Sequence, residues 1–168
     1  MRESVNWASS IFYIVLGVVL AFGINQGLAF ALSTDMPVVA VESNSMVPTF
    51  SKGDILVLQG VPPEKLNIGD IIVFSPSKRV TPVVHRIILK NPDGSFQTKG
   101  DANTGQLPFE KSVKPEQIHG KIILIIPYLG WVKIGLTEFI LPNIFLFVIV
   151  ASLLLFGYYG FNLYKRGV

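Results

Sequence analysis

Two long apolar runs dominate the pattern of hydrophobic and polar positions along the 168-residue chain. The first extends from Ile11 to Leu32 and the second from Phe139 to Gly160, and neither contains a charged residue. At about 1.5 Å per residue, a helix of either length crosses a hydrocarbon core of about 30 Å. The pattern therefore predicts one transmembrane helix at each end of the chain.

The charged residues lie almost entirely between these runs. The predicted organisation is a soluble central domain between two membrane segments, with a short stretch at each end: residues 1–10, 11–32, 33–138, 139–160 and 161–168. Lys165 and Arg166 closely follow the second run. Because positive residues favour the cytoplasmic side, we expect both termini inside and the central domain outside a cell membrane, or in the lumen of a eukaryotic compartment.

A cleavable signal peptide is the alternative interpretation of the first run, since Ala29-Phe30-Ala31 has the small-x-small form of a cleavage site. The run exceeds the apolar length of about 7 to 15 residues that is usual for signal peptides, and Glu3 offsets Arg2 in the flank before it. The length favours a retained helix. Whether the chain cleaves itself at this site is open.

The central domain shows short β-rich or alternating runs separated by Gly, Pro, Asn and Asp, a pattern typical of antiparallel sheets. The predicted strands are Pro37–Glu42, Asp54–Gln59, Asp70–Phe74, Pro82–Lys90, Ser95–Lys99 and Lys121–Ile126. The predicted fold class is therefore mainly β, with a β domain between two transmembrane α-helices.

The composition of the chain argues against several classes of protein and of binding site. Hydrophobic residues make up 50% of the chain and its mean hydropathy is +0.52, too apolar for an ordinary soluble domain. A net charge of +3 without a Lys/Arg block gives no support for nucleic-acid binding. With no cysteine and two histidines, we expect neither a metal site nor a cofactor.

The turn sequence at residues 91–94 predicts the register of the two strands that it joins. Asn91-Pro92-Asp93-Gly94 fits a type I turn followed by a left-handed glycine, which makes a three-residue loop. If Asn91 pairs with Ser95, His85 lies directly opposite Asp101, close enough for a carboxylate to contact the imidazole. A shift by one residue would place Asp101 on the other face.

The stretch from Val41 to Phe50, VESNSMVPTF, carries the most informative polar residues. Ser43 and Ser45 follow an apolar strand, and Pro48 keeps the chain around them stiff and non-helical. Ser and Asn are also ordinary turn formers, so turn chemistry alone is the alternative explanation.

This stretch resembles the nucleophile box of type I signal peptidases. The resemblance continues in order through 52–56 (KGDIL), 69–74 (GDIIVF), 83–87 (VVHRI) and 98–103 (TKGDAN), and again at 127–131 (PYLGW). A histidine at position 85 resembles the archaeal and endoplasmic-reticulum branch of the family, peptidase family S26, whereas the bacterial branch has lysine there.

The resemblance and the residue chemistry together predict a serine endopeptidase. Ser45 is the expected nucleophile and His85 the general base, with Asp101 orienting the imidazole. The backbone N–H of Ser45 and the hydroxyl of Ser43 are the expected oxyanion donors. His119 is expected to be a surface residue, and Lys99 is the competing base.

The identity of the residue that orients His85 stays open, because the sequence departs from the family at this point. In the archaeal and reticulum-type branch that the sequence resembles, the Gly-Asp-x-Asn block is usually followed, six residues after its Asp, by a second Asp. Here that position is Leu107. Asp101 then acts alone, Glu110 substitutes from the following loop, or no carboxylate takes part.

The resemblance implies secretory preproteins with small residues at the cleavage site as substrates, bound extended along a strand edge. Met46 and Val83 are the expected apolar contacts. It also implies the lipid bilayer, and a translocon or other membrane subunits, as partners. A non-catalytic scaffold subunit of a signal-processing complex is the alternative function, against which the intact Ser45 and His85 argue.

Overall fold

The computed structural model describes residues 7–77 and 81–166. Helix α1 (Trp7–Ala31) and helix α3 (Ile144–Arg166) flank a six-stranded antiparallel sheet, so the predicted fold class is confirmed. Within these helices, Ser9–Ala31 and Ile144–Asn162 are long and apolar enough to cross a membrane by length and composition. The first helix begins four residues earlier than predicted and the second begins five residues later.

All six predicted strands are present, most of them shortened at their ends. They are β1 (Val38–Ala40), β2 (Ile55–Gln59), β3 (Ile71–Phe74), β4 (Val83–Lys90), β5 (Phe96–Lys99) and β6 (Ile118–Ile126). Their order in the sheet is β1-β2-β6-β3-β4-β5, and every neighbouring pair is antiparallel. Strand β1 is therefore an edge, and β6 lies in the middle although it comes last in the chain.

Short helical pieces fill several connections. Three single 3₁₀ turns occur at Pro63–Lys65, Pro108–Lys111 and Pro115–Gln117. A four-residue helix, α2 (Trp131–Ile134), runs into a π-helical segment, Gly135–Ile140, and this leads to α3. Pro142 lies in the turn just before α3.

Two groups of buried apolar side chains form the core. One contains Val41, Met46, Phe50, Leu56, Leu58 and Val73, and the other contains Leu66, Ile72, Phe74, Ile87, Phe96 and Val113. The first group lies beneath the turn that follows β1. Burial of Met46, which is 1% exposed, and of Phe50 therefore holds this turn against the sheet.

The predicted register of the hairpin is correct next to the turn but wrong farther along the two strands. Asn91 N–H donates to the Ser95 carbonyl (2.8 Å), and Lys90 pairs with Phe96 as expected. The register then shifts between Ile87 and Leu89, so that Arg86 pairs with Lys99. This bulge moves every later position by one residue, which is the shift that separates Asp101 from the face of His85.

Both helices join the sheet at the β2–β6 strand pair, at opposite ends of it. After α1, Gly60 N–H donates to the Leu32 carbonyl (2.8 Å) and Thr34 Oγ1 donates to the His119 carbonyl (2.7 Å). A Cβ at Gly60 would lie 1.8 Å from the Ser33 carbonyl oxygen, so this approach requires glycine. At the other end, Gly130 N–H donates to the Gly53 carbonyl (2.8 Å).

Candidate active site

Ser45 lies in the turn that follows β1 and is half-buried. Two backbone bonds of 2.9 Å, from Val41 N–H to the Asp54 carbonyl and from Gly53 N–H to the Val41 carbonyl, fix the entry to this turn. Ala102 N–H donates to the Ser45 carbonyl, also at 2.9 Å. Among the described residues the N–H of Ser45 has no hydrogen-bond acceptor, so it is free to bind a substrate oxygen.

His85 lies in β4 with only 3% of its surface exposed. Its Nε2 is 3.0 Å from Ser45 Oγ, so the structure brings the predicted nucleophile and the predicted base into hydrogen-bond contact across 40 positions of sequence. The burial excludes most solvent from the imidazole, and the hydroxyl is therefore its direct partner on this side.

Glu110 contacts the other imidazole nitrogen, Nδ1, through its Oε1 atom. The carboxylate is completely buried. Its second oxygen accepts a hydrogen bond from the Leu107 N–H (2.7 Å), and Thr98 Oγ1 is 3.5 Å from the first. A 3₁₀ turn with Pro108 at its first position aims Glu110 back toward its own N-terminus and toward His85.

The predicted contact between Asp101 and His85 does not form. Asp101 instead accepts hydrogen bonds from Arg86 Nε (2.8 Å) and Nη2 (2.6 Å) and from Thr49 Oγ1 (2.5 Å). The Arg86 hydrogen bond holds the pKa of Asp101 below its usual range. The physical reason is the bulge in β4, which leaves Asp101 beside Arg86, where it ties β4 to the Thr49 end of the Ser45 turn.

Gly100 passes directly over the Ser45–His85 pair. A Cβ there would lie 2.8 Å from His85 Nε2 and 2.7 Å from the Ser45 carbonyl oxygen. Any side chain at this position would displace one of these two groups. The glycine before Asp101 is thus required by the close approach of the loop to the site.

Ser43 Oγ is 3.2 Å from Ser45 Oγ and is exposed. It therefore stands where a hydroxyl could donate to an oxygen that is bound beside Ser45. Lys99, the competing base, lies opposite Arg86 in the ladder and makes no hydrogen bond to Ser45.

A largely apolar cavity of about 580 Å³ opens at Ser45 and His85. Its walls come mainly from β1, the start of β4 and the loop before Glu110: Met36, Val38, Val39, Ala40, Val41, Phe50, Ile55, Pro82, Val83, Val84, Leu107 and Phe109. Val83, an expected substrate contact, lines the cavity. Met46 does not, because its side chain is buried in the core beneath the turn.

Comparison with known proteins decides the family. The model of the family described as "Signal peptidase, peptidase S26" matches residues 5–94, just over half of the chain. The chain belongs to this signal peptidase family. The resemblance predicted from the sequence blocks is thereby confirmed.

Relatives of this signal peptidase carry a consistent description. The "Signal peptidase complex catalytic subunit SEC11" of Pyricularia oryzae is 32% identical over 127 residues, covering 70% of this chain and 74% of that protein. The protein of the same description from Zygosaccharomyces rouxii is 32% identical over 128 residues, covering 70% and 76%. The SEC11C subunit of Canis lupus familiaris is 33% identical over 127 residues, covering 68% and 64%.

This signal peptidase also contains a second serine, histidine and carboxylate in contact. His119 Nε2 is 2.8 Å from Ser75 Oγ, and His119 Nδ1 is 3.0 Å from both carboxylate oxygens of Asp35. Its place beside a turn predicts an ordinary surface residue at His119, so this arrangement is visible only in the structure. No local signal could have revealed it, since Asp35 and His119 are 84 positions apart.

No candidate metal centre accompanies either set. Within residues 7–77 and 81–166, no three His, Cys, Asp or Glu side chains lie together in a way that could hold a metal ion.

Proposed function

We propose that this membrane-anchored peptidase is a serine endopeptidase that removes signal peptides from secretory preproteins, with Ser45 as nucleophile and His85 as general base. The observation that carries the proposal is the continuous chain of contacts from Ser45 Oγ through the His85 imidazole to the buried Glu110, at the end of an apolar cavity. The family description supports the same substrate class.

Acylation uses each of these contacts. Glu110 accepts a hydrogen bond from the Nδ1–H of His85, which leaves Nε2 with a lone pair facing Ser45. As Ser45 Oγ forms a bond to the scissile carbonyl carbon, its proton passes to His85 Nε2. His85 then gives that proton to the leaving amine, the C–N bond breaks, and the signal peptide remains as an ester on Ser45.

Deacylation reverses these proton transfers. His85 takes a proton from a water molecule that attacks the ester carbon, and then returns a proton to Ser45 Oγ as the signal peptide leaves with a new carboxylate. Throughout both steps the carboxylate of Glu110 stabilises the imidazolium. We therefore assign the orienting role to Glu110 and a purely positioning role to Asp101.

The Ser45 N–H and the Ser43 hydroxyl are the proposed oxyanion donors. Both lie on the nucleophile's own turn, which the hydrogen bonds at Val41 and at the Ser45 carbonyl hold rigid. Donors that are fixed before the reaction stabilise the developing charge without reorganisation.

The cavity suits an extended peptide with small apolar side chains. Strand β1 is an edge of the sheet, and Val38, Val39 and Ala40 line the cavity. A substrate strand that pairs with this edge would present alternate side chains to the cavity wall, which also includes Val83.

The proposed topology places both termini in the cytoplasm and residues 33–138 on the outer or lumenal face. Two apolar helices and the Lys165–Arg166 pair after the second support it. By analogy with relatives described as subunits of a signal peptidase complex, further membrane subunits are proposed partners. Anchoring in the same bilayer as the preprotein raises the effective substrate concentration.

The test is cleavage of a signal-bearing preprotein by the purified full chain in phosphatidylcholine vesicles, with products identified by mass spectrometry. We expect one cut after a small residue at the end of the signal peptide. The Ser45→Ala variant should give no product while retaining the circular dichroism and thermal transition of the wild type. Product formation by Ser45→Ala at one tenth of the wild-type rate or above would remove Ser45 from the mechanism.

A further inference from the structure

Two Gly-Asp turns in the β domain have nearly the same backbone but different neighbours. Gly53 has a φ of 95° and Gly69 a φ of 96°. In each turn the following aspartate, Asp54 or Asp70, accepts a hydrogen bond of 2.9 Å from the N–H three residues before it. The local sequence therefore produces the same turn twice, and any difference in role has to come from the residues that pack against it.

The first of these turns packs against Trp131. A Cβ at Gly53 would lie 2.0 Å from Trp131 Nε1, and Gly130 N–H donates to the Gly53 carbonyl (2.8 Å). A Cβ at Gly69 would meet no atom of the described residues within 4 Å beyond its neighbours in the chain. The indole thus lies directly on the glycine of the first turn, and any side chain added there would displace it.

The carboxylate of Asp54 joins the same segment to the first turn. Asp54 is 5% exposed, and its Oδ1 accepts from the Tyr128 N–H (3.0 Å) while its Oδ2 accepts from the Ser51 N–H. Tyr128 has a φ of 63°, a left-handed conformation that persists for a bulky residue only where its surroundings hold it. Asp70 of the second turn instead pairs with Lys121 Nζ (2.7 Å). Asp54 therefore ties the first turn to the backbone that precedes Trp131.

The first turn also contacts the residue between the two serines of the site. Lys52 N–H donates to Oδ1 of Asn44 (2.8 Å), and Asn44 separates Ser43 from Ser45. Both serines line the cavity, whereas Asn44 is not among the described residues that do so. Its side chain therefore serves the Ser45 turn (residues 42–50) and not a substrate. A continuous path of contacts leads from Trp131 to the proposed nucleophile.

Two ion pairs connect the same regions but hold them weakly. Glu138 is 3.0 Å from Lys52 Nζ, and Lys133 Nζ is 3.1 Å from Glu42. The four side chains are between 30% and 55% exposed, and ion pairs in water contribute little to stability. The buried carboxylate of Asp54 and the indole are the contacts that hold the turn.

We propose that residues 128–131 position the Ser45 turn, and that Asn44 is the positioning residue through which they act on Ser43 and Ser45. The proposal rests on the serine peptidase function proposed above. A displacement of about 1 Å in a reacting group costs about 100-fold in rate. Without an acceptor for the Lys52 N–H, the turn loses its support relative to His85 while the cavity keeps its walls. The expected consequence is a lower kcat with an unchanged KM.

Substitution of Asn44 tests the positioning step. For the full-length Asn44→Ala variant in detergent micelles, we expect kcat for a signal-bearing preprotein to fall about 10- to 100-fold and KM to stay within about two-fold. Asn44→Asp keeps an oxygen that accepts from the Lys52 N–H and should recover most of the rate. If the wild type cleaves and Asn44→Ala keeps its full kcat, or both variants lose equally, the positioning proposal is overturned and the proposed function stands.

The two glycines supply a matched pair for the indole contact. Gly53→Ala and Gly69→Ala introduce the same backbone strain, because their φ angles are nearly equal. Gly69→Ala also keeps the carbonyl that accepts from Arg86 Nη1 (2.9 Å). We expect only Gly53→Ala to lower kcat, since it alone displaces Trp131. Trp131→Ala removes the indole without this strain and should lower kcat as well. Equal kcat values in folded Trp131→Ala and wild type would refute the proposal.

Hydrogen exchange measures the positioning without catalysis. In the full-length Trp131→Ala variant, mass spectrometry should show several-fold faster amide exchange than in the wild type within residues 42–54, with unchanged exchange in residues 67–74. Faster exchange in 42–54 would support the positioning even if the wild type cleaved no preprotein, a result that would contradict the proposed function alone. Unchanged exchange in 42–54 would contradict the positioning whatever the activity.

Discussion

The same small domain contains two serine–histidine–carboxylate groups. Their hydrogen bonds are similar, but the two groups differ in burial. The imidazole of His85 and the carboxylate of Glu110 are 4% and 0% exposed, whereas those of His119 and Asp35 are 21% and 68% exposed. A Coulombic or hydrogen-bond interaction in water is weaker than the same interaction in a dry site. The buried carboxylate of Glu110 therefore interacts strongly with the imidazole of His85, whereas the exposed carboxylate of Asp35 interacts more weakly with that of His119.

The two serines differ in what surrounds them. The N–H of Ser45 has no acceptor among the described residues, and Ser45 lines an open cavity. The N–H of Ser75 already donates to the Gln117 carbonyl (2.9 Å). The residue after Ser75 is Pro76, which has no N–H to offer. A tetrahedral oxyanion beside Ser75 would therefore lack a backbone donor. Contact distances alone therefore do not identify a catalytic group.

The second group has a structural explanation. Asp35 belongs to the segment that leaves α1, His119 to β6, and Ser75 follows β3. Together with the bond from Thr34 Oγ1 to the His119 carbonyl, these contacts fasten the end of α1 to the sheet. His119 acts there as a hydrogen-bonding link between elements.

Exchange of the carboxylates for amides is the sharpest way to break the comparison. Glu110→Gln should lower the single-turnover cleavage rate by about 10³- to 10⁴-fold, because a side-chain amide that donates to Nδ1 stabilises the wrong tautomer. Gln retains an oxygen for the Leu107 N–H, so the fold should survive. Asp35→Asn should leave the rate nearly unchanged. Similar losses in the two variants would contradict the assignment.

The second difference between Ser45 and Ser75 is the presence of oxyanion donors beside Ser45. We expect Ser43→Ala to lower the rate by about 100- to 1,000-fold, the usual cost of removing one such donor. Ser43→Thr, which keeps the hydroxyl, serves as the matched control and should retain most activity. Rates are measured under single turnover so that product release does not mask the chemical step. An unchanged rate in Ser43→Ala would make this hydroxyl a turn former only.

Asp101 should give the smallest effect, because it acts through the turn and not on the imidazole. Asp101→Asn should reduce activity a few-fold and lower the free energy of unfolding by about 1 kcal/mol. Asp70→Asn, which removes a carboxylate from the ion pair with Lys121, controls for general destabilisation. A loss as large as that of Glu110→Gln would return the orienting role to Asp101.

The effect of Asp101→Asn on the free energy of unfolding should also depend on pH. The pKa of Asp101 is lowered in the folded state by Arg86, so the ion pair stabilises the fold fully above the ordinary value of 3.8 and loses this contribution as pH falls through the lowered value. The difference in unfolding free energy between wild type and Asp101→Asn should be constant at neutral pH and shrink in acid. A difference that grows in acid would contradict this account.

The sequence predicted the elements of the fold well because each has a local cause. Uncharged runs gave both helices, alternation gave all six strands, and Asn91 to Gly94 gave the hairpin turn. The bulge in β4 had no such signal. Ile87, Ile88 and Leu89 are all apolar, so either register buries an acceptable side chain, and the shift is decided by packing between strands.

The candidate site was predictable in part for the same reason. Ser45 and His85 stand in distinctive surroundings that sequence alone reveals. An ideal ladder places Asp101 opposite His85, and the one bulge in β4 is enough to prevent that contact. Glu110 is harder to assign from sequence, because a glutamate two residues after Pro108 looks like any exposed loop residue until the fold buries it.

Replacement of the two histidines, one at a time, tests the central claim most directly. His85→Ala and His119→Ala are compared in single-turnover cleavage of the same preprotein in the same vesicles, with thermal unfolding as a check on folding. The account predicts that His85→Ala loses at least about 10³-fold in rate, since it removes the general base, while His119→Ala stays within a few-fold of wild type. Substantial activity in His85→Ala, or an equal loss in folded His119→Ala, would contradict it.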